Sequence, residues 1–294
     1  MNGLTNGLYD GLLTGQGNGL FDGLNNGLNN GLFNNDSAND YNALSFINAV
    51  GTLTSREANA INVLVYQLKY YKIWNKCVAI YPFIGGTAST HKYNLVSPLD
   101  SNAAYRLTFS GGWTHSSTGA LPNGTNAFAN TNLIPNNFFR NYNSLHLSFY
   151  SRTNSITLTG RVDIGSQSAA NRSLLMAYGS YNQTYYYSGD NLLNFAVQNP
   201  GVADTRGLLI GTTTAYNRLQ LFNNGRLIAS DNDVISASLP TLNIWIGANS
   251  NSGGVEWGNK ECAFASIGYS LNNYECIILY QIVQNYQSLL GRQV

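Results

Sequence analysis

Glycine occupies positions 3, 7, 11, 15, 19, 23, 27 and 31 of this chain, one every fourth residue without slippage. That spacing constrains the first 35 residues more than any other feature. Collagen needs glycine at every third position. An α-helix would lose roughly 0.8–1 kcal/mol per glycine relative to alanine. A secretory signal is excluded as well, because the stretch has no Lys or Arg and every apolar run is broken by Gly or Asn. Asn-Gly and Asp-Gly are at ease with positive φ, so each four-residue unit can turn and return one leucine to the same side. The leucines that directly follow these glycines are Leu4, Leu8, Leu12, Leu20, Leu24, Leu28 and Leu32. Ordering four residues costs about 4–8 kcal/mol of backbone entropy, and one buried leucine returns about 1.5–3 kcal/mol. A single copy therefore stays disordered, lies on another surface, or winds with sister copies. The segment 1–35 is expected to act as an anchor and oligomerisation element.

The remaining chain has ample apolar content for a large core, since 44% of its 294 residues are hydrophobic. Charge is sparse at 10%, with a formal net charge of +1, so no basic field exists to hold nucleic acid or an anionic membrane. No run reaches the ~18–20 apolar residues that span a bilayer. Cys77, Cys262 and Cys276 lack the close spacing of a zinc knuckle or redox pair and read as buried thiols.

Three organisational units follow from the pattern: the repeat (1–35), a linker with an amphipathic helix (36–75), and a β-rich domain with a closing helix (76–294). A short helical stretch in "DSANDYNALSFINAV" precedes a clear amphipathic one. Thr54 and Glu57 have capping-box spacing, and Ile61, Leu64, Val65 and Leu68 share a face, which predicts a helix over about 54–74. Short runs rich in β-branched and aromatic residues follow, among them "CVAIYPFI", "LHLSFYS", "GLLIGT" and "LNIWIGA", and they predict an antiparallel sandwich. Asn224-Gly225 in "LQLFNNGRLIAS" supplies a type I′ hairpin turn. At the end of the chain, Asn272 and Glu275 cap a helix that Gly291 stops. The fold expected is mainly β, a jelly-roll sandwich bracketed by two helices.

The stretches "LQLFNNGRLIAS", "LNIWIGANSNSGG" and "CAFASIGYSLNNYECIILYQIVQNYQSLLGR", with Trp257 between the last two, resemble the closing half of a laminin-G-like, concanavalin A-type jelly roll. Leu271 and Glu275 match that family's terminal helix. The segment "AIYPFIGGTASTHKYNLVSPLDSNAAYRLTFSGGWTHSSTGALPNGTNAFANTNL" resembles one recurrent in structural proteins of tailed bacteriophages, which often carry Asn-Gly-Leu repeats ahead of it. The resemblance covers roughly residues 53–294. It implies a virion location, as a head fibre, capsid decoration or tail appendage. It also implies contacts with other virion proteins and a homo-oligomer, trimer ahead of dimer.

The fold hosts lectins, glycosidases and inert modules alike, so function has to be read from residues. Glycosidases need two carboxylates about 5–9.5 Å apart, and the family places Glu, Asp and Glu at near-alternate positions of one strand. No such run exists here, and no catalytic residues are expected. His91, His115 and His146 are scattered, without metal or triad spacing. Asp231, Asn232 and Asp233 could supply calcium oxygens, but ordinary turn chemistry explains them better, so no metal or cofactor is expected. Host-glycan binding has more support, because sugar sites combine aromatic platforms with amide and hydroxyl partners. The candidates are Trp113, His115, Tyr185, Tyr186, Tyr187, Asn249, Asn251 and Trp257. The alternatives are a lectin whose adhesion is the primary role and, behind it, a glycosidase.

Overall fold

The computed structural model describes residues 40–139, 144–155, 161–169, 171–179, 183–189, 195–198, 203–214, 218–232, 238–251 and 255–294. The 1–35 repeat with its glycine-following leucines, and Asp233, lie outside the described residues. All described residues fall in one compact unit, Asp40–Val294, which takes in the helical part of the segment expected to be a linker.

Three helices form where local signals predict them. Helix α1 (Tyr41–Val50) starts at Asp40, whose carboxylate accepts from the Asn42 N–H, and ends at Gly51 with φ 77°. Helix α2 (Ser55–Tyr70) carries the predicted capping box: the Glu57 N–H donates to Thr54 Oγ1, and the Thr54 N–H donates to Glu57 Oε2. It stops earlier than the apolar periodicity suggests. The Ile73 N–H donates to Leu68 O and the Lys72 N–H to Lys69 O, a Schellman closure with Lys72 at φ 61° in the position glycine usually takes. Helix α3 (Asn273–Leu290) is capped by Asn272 and Glu275 and ends in the same closure, with Gly291 at φ 69°.

The strands are β1 (Cys77–Tyr81), β2 (Thr108–Ser110), β3 (Trp113–Ser116), β4 (Gly119–Pro122), β5 (Phe128–Asn130), β6 (Leu145–Ser151), β7 (Ile164–Ser168), β8 (Asn171–Gly179), β9 (Gln183–Ser188), β10 (Phe195–Gln198), β11 (Gly207–Thr214), β12 (Arg218–Asn223), β13 (Arg226–Asp231), β14 (Trp245–Ile246), β15 (Asn249–Asn251) and β16 (Cys262–Gly268). They form two sheets. The first runs β13-β12-β11-β6-β16-β4-β3, with β1 also on β16. The second runs β10-β9-β8-β7-β14-β5-β2, with β15 on β7. Every described pair is antiparallel except β15 with β7. Asn224 and Gly225, at φ 49° and 74°, make the predicted hairpin turn between β12 and β13.

The period-2 alternation of side chains divides the apolar residues between two cores. Leu147 and Phe149 of β6, Leu219 and Leu221 of β12, and Ala265 and Ile267 of β16 face the second sheet, where they meet Ile164, Tyr186 and Ile246. Their neighbours Tyr150, Phe222 and Phe264 point the other way, onto Ile61, Leu64 and Leu68 of α2 and Leu279, Ile282 and Val283 of α3. The first sheet is therefore covered on both faces, and β6 and β16 are buried at every position. The helical layer is the partner that the α2 stripe requires, with Ile61, Leu64, Val65 and Leu68 all fully enclosed. The three cysteines are free and buried, and burial pushes the Cys77 thiol up to about 12. No helix among the described residues is long and apolar enough to cross a membrane.

Candidate ligand-binding face

Because the middle strands of the first sheet are sandwiched, strand side chains meet solvent at that sheet's edges, such as β13, and on the outer face of the second sheet. In "QTYYYS" of β9, alternation sends the middle tyrosine inward and its two neighbours outward. Tyr186 is fully buried, its hydroxyl 3.0 Å from Thr213 Oγ1 and donating to Leu145 O at 3.3 Å. Its ring fills the space beside Gly211, where a Cβ would lie 2.0 Å from Tyr186 Cδ2. The expectation that Tyr186 contacts a glycan is corrected accordingly, since it is a core residue.

Tyr185 and Tyr187 stay half-buried, stack on each other at 5.6 Å, and pack against the enclosed Val162. The Arg172 guanidinium lies over the Tyr187 ring at 5.2 Å. The opposite end of the same face carries Phe128 and Trp245, stacked at 3.9 Å, with Trp257 6.3 Å from Phe128. The Trp257 carbonyl accepts from Arg161 Nη1 at 3.0 Å. A cross-strand row joins the two ends, from Trp245 through Gly165 and Leu174 to Tyr187. Three strand spacings place those aromatics about 14 Å apart along the row.

Asn249 pairs with Gly165, on the same edge of β7 as Trp245. It is fully buried, so it holds the loop and is not offered to a ligand. Its Nδ2–H donates to Glu256 Oε2 at 3.2 Å, and its Oδ1 accepts the Glu256 N–H at 2.9 Å. Burial raises the Glu256 carboxyl above its ordinary value, and the Arg172 charge opposes that shift. Asn251 pairs with Gln167 and is half-buried. Beneath the face, Lys260 and Asp163 form an ion pair at 3.0 Å, each 2% exposed. Burial lowers the Lys260 pKa, and Asp163 counters that shift.

Trp113 and His115 belong elsewhere. Trp113 in β3 of the first sheet donates from Nε1 to Ser110 O and Phe128 O of the second, so it stitches the sandwich edge. Its ring also lies against Gly247, where a Cβ would approach Cη2 to 2.9 Å. His115 meets His91 with their Nδ1 atoms 2.9 Å apart, one donating and the other accepting. Burial, the neighbouring His115 and Arg292 hold the His91 pKa down at about 3, so His91 is neutral at physiological pH, and burial lowers the His115 pKa as well. His146 is part of an interior relay: its Nδ1 is 2.6 Å from Tyr269 O, its Nε2 is 3.0 Å from Ser266 Oγ, and Ser266 Oγ is 2.6 Å from Ser148 Oγ. The relay is wholly enclosed between the first sheet and the helices, so it serves packing. Asp231 closes β13, paired with Leu219. Among the described residues, no three of His, Cys, Asp and Glu converge as a metal site.

The structure thus brings together Tyr185, Tyr187, Asn249, Asn251 and Trp257 of the predicted set and separates Trp113, His115 and Tyr186 from them. Sequence reasoning missed Phe128, Trp245 and Arg172. A signal was present for the two aromatics, since Phe128 lies between Ala127 and Ala129 and Trp245 between Ile244 and Ile246, all buried, which leaves an aromatic at each outward position.

No protein-family model matches the sequence, and a search of curated proteins finds no match. Among solved structures, domain 4 of AbnA, an extracellular GH43 arabinanase from Geobacillus stearothermophilus solved with arabinotriose, matches with a TM-score of 0.52 at 13% identity, over 70% of this chain and 98% of that domain. The binding domain of botulinum neurotoxin serotype D matches at 0.46 and 12%, over 71% of this chain and 52% of its own. A mutant of Trypanosoma rangeli sialidase displaying trans-sialidase activity matches at 0.47 and 11%, over 79% and 39%. The arabinanase domain shares the two-sheet sandwich over nearly its whole length, a likeness of fold alone at that identity.

Proposed function

We propose that the chain is a carbohydrate-binding β-sandwich module displayed on a bacteriophage virion, as a head fibre, capsid decoration or tail appendage. The observation that carries the binding role is the outer face of the second sheet, where Phe128, Trp245 and Trp257 at one end and Tyr185 and Tyr187 at the other stay half-exposed. Aromatic faces cover the apolar side of a sugar ring, and the Arg172 guanidinium and the Asn251 amide can take its hydroxyls. An oligosaccharide bridging the two ends fits better than a single ring. The complex of the arabinanase domain with arabinotriose supports this reading for the fold. Hydrolysis does not enter it, because Asp163 is shut in with Lys260 and the Glu256 carboxylate is engaged by Asn249.

The test is a glycan array with the full chain, followed by titration calorimetry on any hit. Trp245→Ala and Tyr187→Ala are each expected to weaken binding at least tenfold. Unchanged affinity in both variants would refute the face, and release of shorter sugars would refute the absence of catalysis.

The virion role is supported by the phage-like segment quoted above and by the glycine–leucine repeat, whose units cannot fold singly. Nucleic acid and bilayer contacts have no place in it, given the net charge of +1. Mass spectrometry of purified particles tests it. A variant lacking residues 1–35 is expected to be missing from particles, and normal occupancy would overturn the anchor.

A further inference from the structure

The helical layer has an outer surface that the glycan reading does not use. Of the ten large apolar side chains exposed among the described residues, five belong to α1, α2 and α3: Tyr41 (79%), Tyr70 (64%), Tyr274 (53%), Leu44 (40%) and Tyr66 (38%). Those of α2 and α3 lie together. Tyr66 stacks on Tyr70 at 6.1 Å, Tyr70 meets Tyr71 edge-on at 4.9 Å, and the Tyr71 hydroxyl feels Tyr274 as well as Tyr70 and Tyr66. The start of α1 is tied to the same stripe of α2, because the Asp40 N–H donates to Asn62 Oδ1 and Lys69 Nζ donates to Asp40 Oδ1 at 2.7 Å. Scattered exposed hydrophobics are ordinary, but tyrosines gathered on α2 and α3, with Tyr41 and Leu44 on the helix tied to them, are an apolar surface of the kind that marks an interface. Tyrosine is also a residue that interfaces favour.

We infer that this tyrosine surface is where copies of this chain join one another. Two observations select a second copy as the occupant. Charges bordering the patch are already cancelled within the chain, Asp40 by Lys69 and Glu275 by Lys76 at 2.6 Å, so identical faces meet without like-charge repulsion there, with Lys72 left exposed beside them. The 39 residues that precede the described structure enter the domain at Asp40, within this surface. Copies joined here bring their repeat segments in at one place, and a repeat whose units cannot order singly needs sister copies close by. A closed cyclic assembly satisfies both conditions. It leaves the outer face of the second sheet to its own ligand, so the inference does not rest on the glycan reading.

Sedimentation velocity on the full chain tests it, with the wild type beside the triple variant Tyr41→Glu, Tyr70→Glu and Tyr274→Glu. The expected result is a wild-type mass of two or more chains and a variant that falls to one. A monomeric wild type would overturn the inference, and so would a folded variant of unchanged mass. Thermal melting followed by circular dichroism confirms that the variant is folded. Should the triple variant unfold, Tyr41→Glu alone, at the most exposed of these side chains, repeats the comparison.

Discussion

Arg292 lies just past the last helix, is 2% exposed, and has no carboxylate among its hydrogen-bond partners. Its five N–H donors are nevertheless all used. Nε donates to Gln287 Oε1 at 2.6 Å, Nη1 to Phe83 O and Ser117 O at 2.7 and 3.2 Å, and Nη2 to Pro82 O and Ala263 O at 2.8 and 3.0 Å. Burial lowers its pKa, and the cage of acceptors stands in for a counter-ion. Arg292→Met keeps the length and removes both charge and donors. Pro82 O keeps the Tyr286 hydroxyl and Ala263 O keeps Gln287 Nε2, whereas Phe83 O, Ser117 O and Gln287 Oε1 lose this donor with no such replacement. At about 1 kcal/mol per acceptor stranded in the interior, the loss comes to about 3 kcal/mol. For a domain of this size that lowers Tm by roughly 6–12 °C. Arg292→Lys, with three donors for five acceptors, is expected to fall between the two. Urea titration of the full chain measures the difference. A Met variant as stable as the wild type would mean that relief from burying a guanidinium cancels the lost bonds, and the caging argument would fail.

Leu68 is fully enclosed between α2 and the first sheet, so Leu68→Ala is expected to cost about 2–5 kcal/mol in the same titration, and a loss below about 0.5 kcal/mol would show the face to be loosely packed. Gly211→Ala drives a methyl into the Tyr186 ring and is expected to cost about 1–3 kcal/mol, with Tyr186→Ala in the same chain recovering part of the clash. The buried histidines set a pH dependence. Desolvation holds His91 at about 3 and His146 at about 4, while the unfolded chain protonates both near 6.5. The unfolded state therefore binds more protons below that value, and stability is full above about pH 6.5 and falls as the pH drops toward 4, by up to about 1.4 kcal/mol per pH unit for each histidine. Stability that holds steady from pH 7 to 4.5 would refute the buried-neutral assignment, and His146→Gln should flatten the slope.

The features legible in the sequence are those settled within a few residues of chain. Thr54 with Glu57, Asn272 with Glu275, Gly291, and the Asn224-Gly225 turn were readable because a cap or a type I′ turn is satisfied by backbone groups next to it. The apolar stripe of α2 and the alternation of the strands were readable because burial selects one face of a periodic element. The end of α2 was not, since Lys72 takes the left-handed position that glycine usually marks, and only the packing of Ile73 beside Leu68 in the helical core makes it worthwhile. The tyrosine triplet shows the limit most directly. Alternation says that Tyr186 and its neighbours face opposite ways, but which phase is inward depends on Gly211, a residue of the other sheet that leaves room for the ring. Phe128 and Trp245 come together because β5 and β14 are neighbours in a sheet whose order no local pattern encodes. Four of the five acceptors of Arg292 lie on β16 and on two loops far along the chain, and the tyrosine surface exists only because three helices lie side by side. Local hydrogen bonding and periodicity determined the elements; long-range contact, which decides what each residue is buried against, determined the candidate binding face.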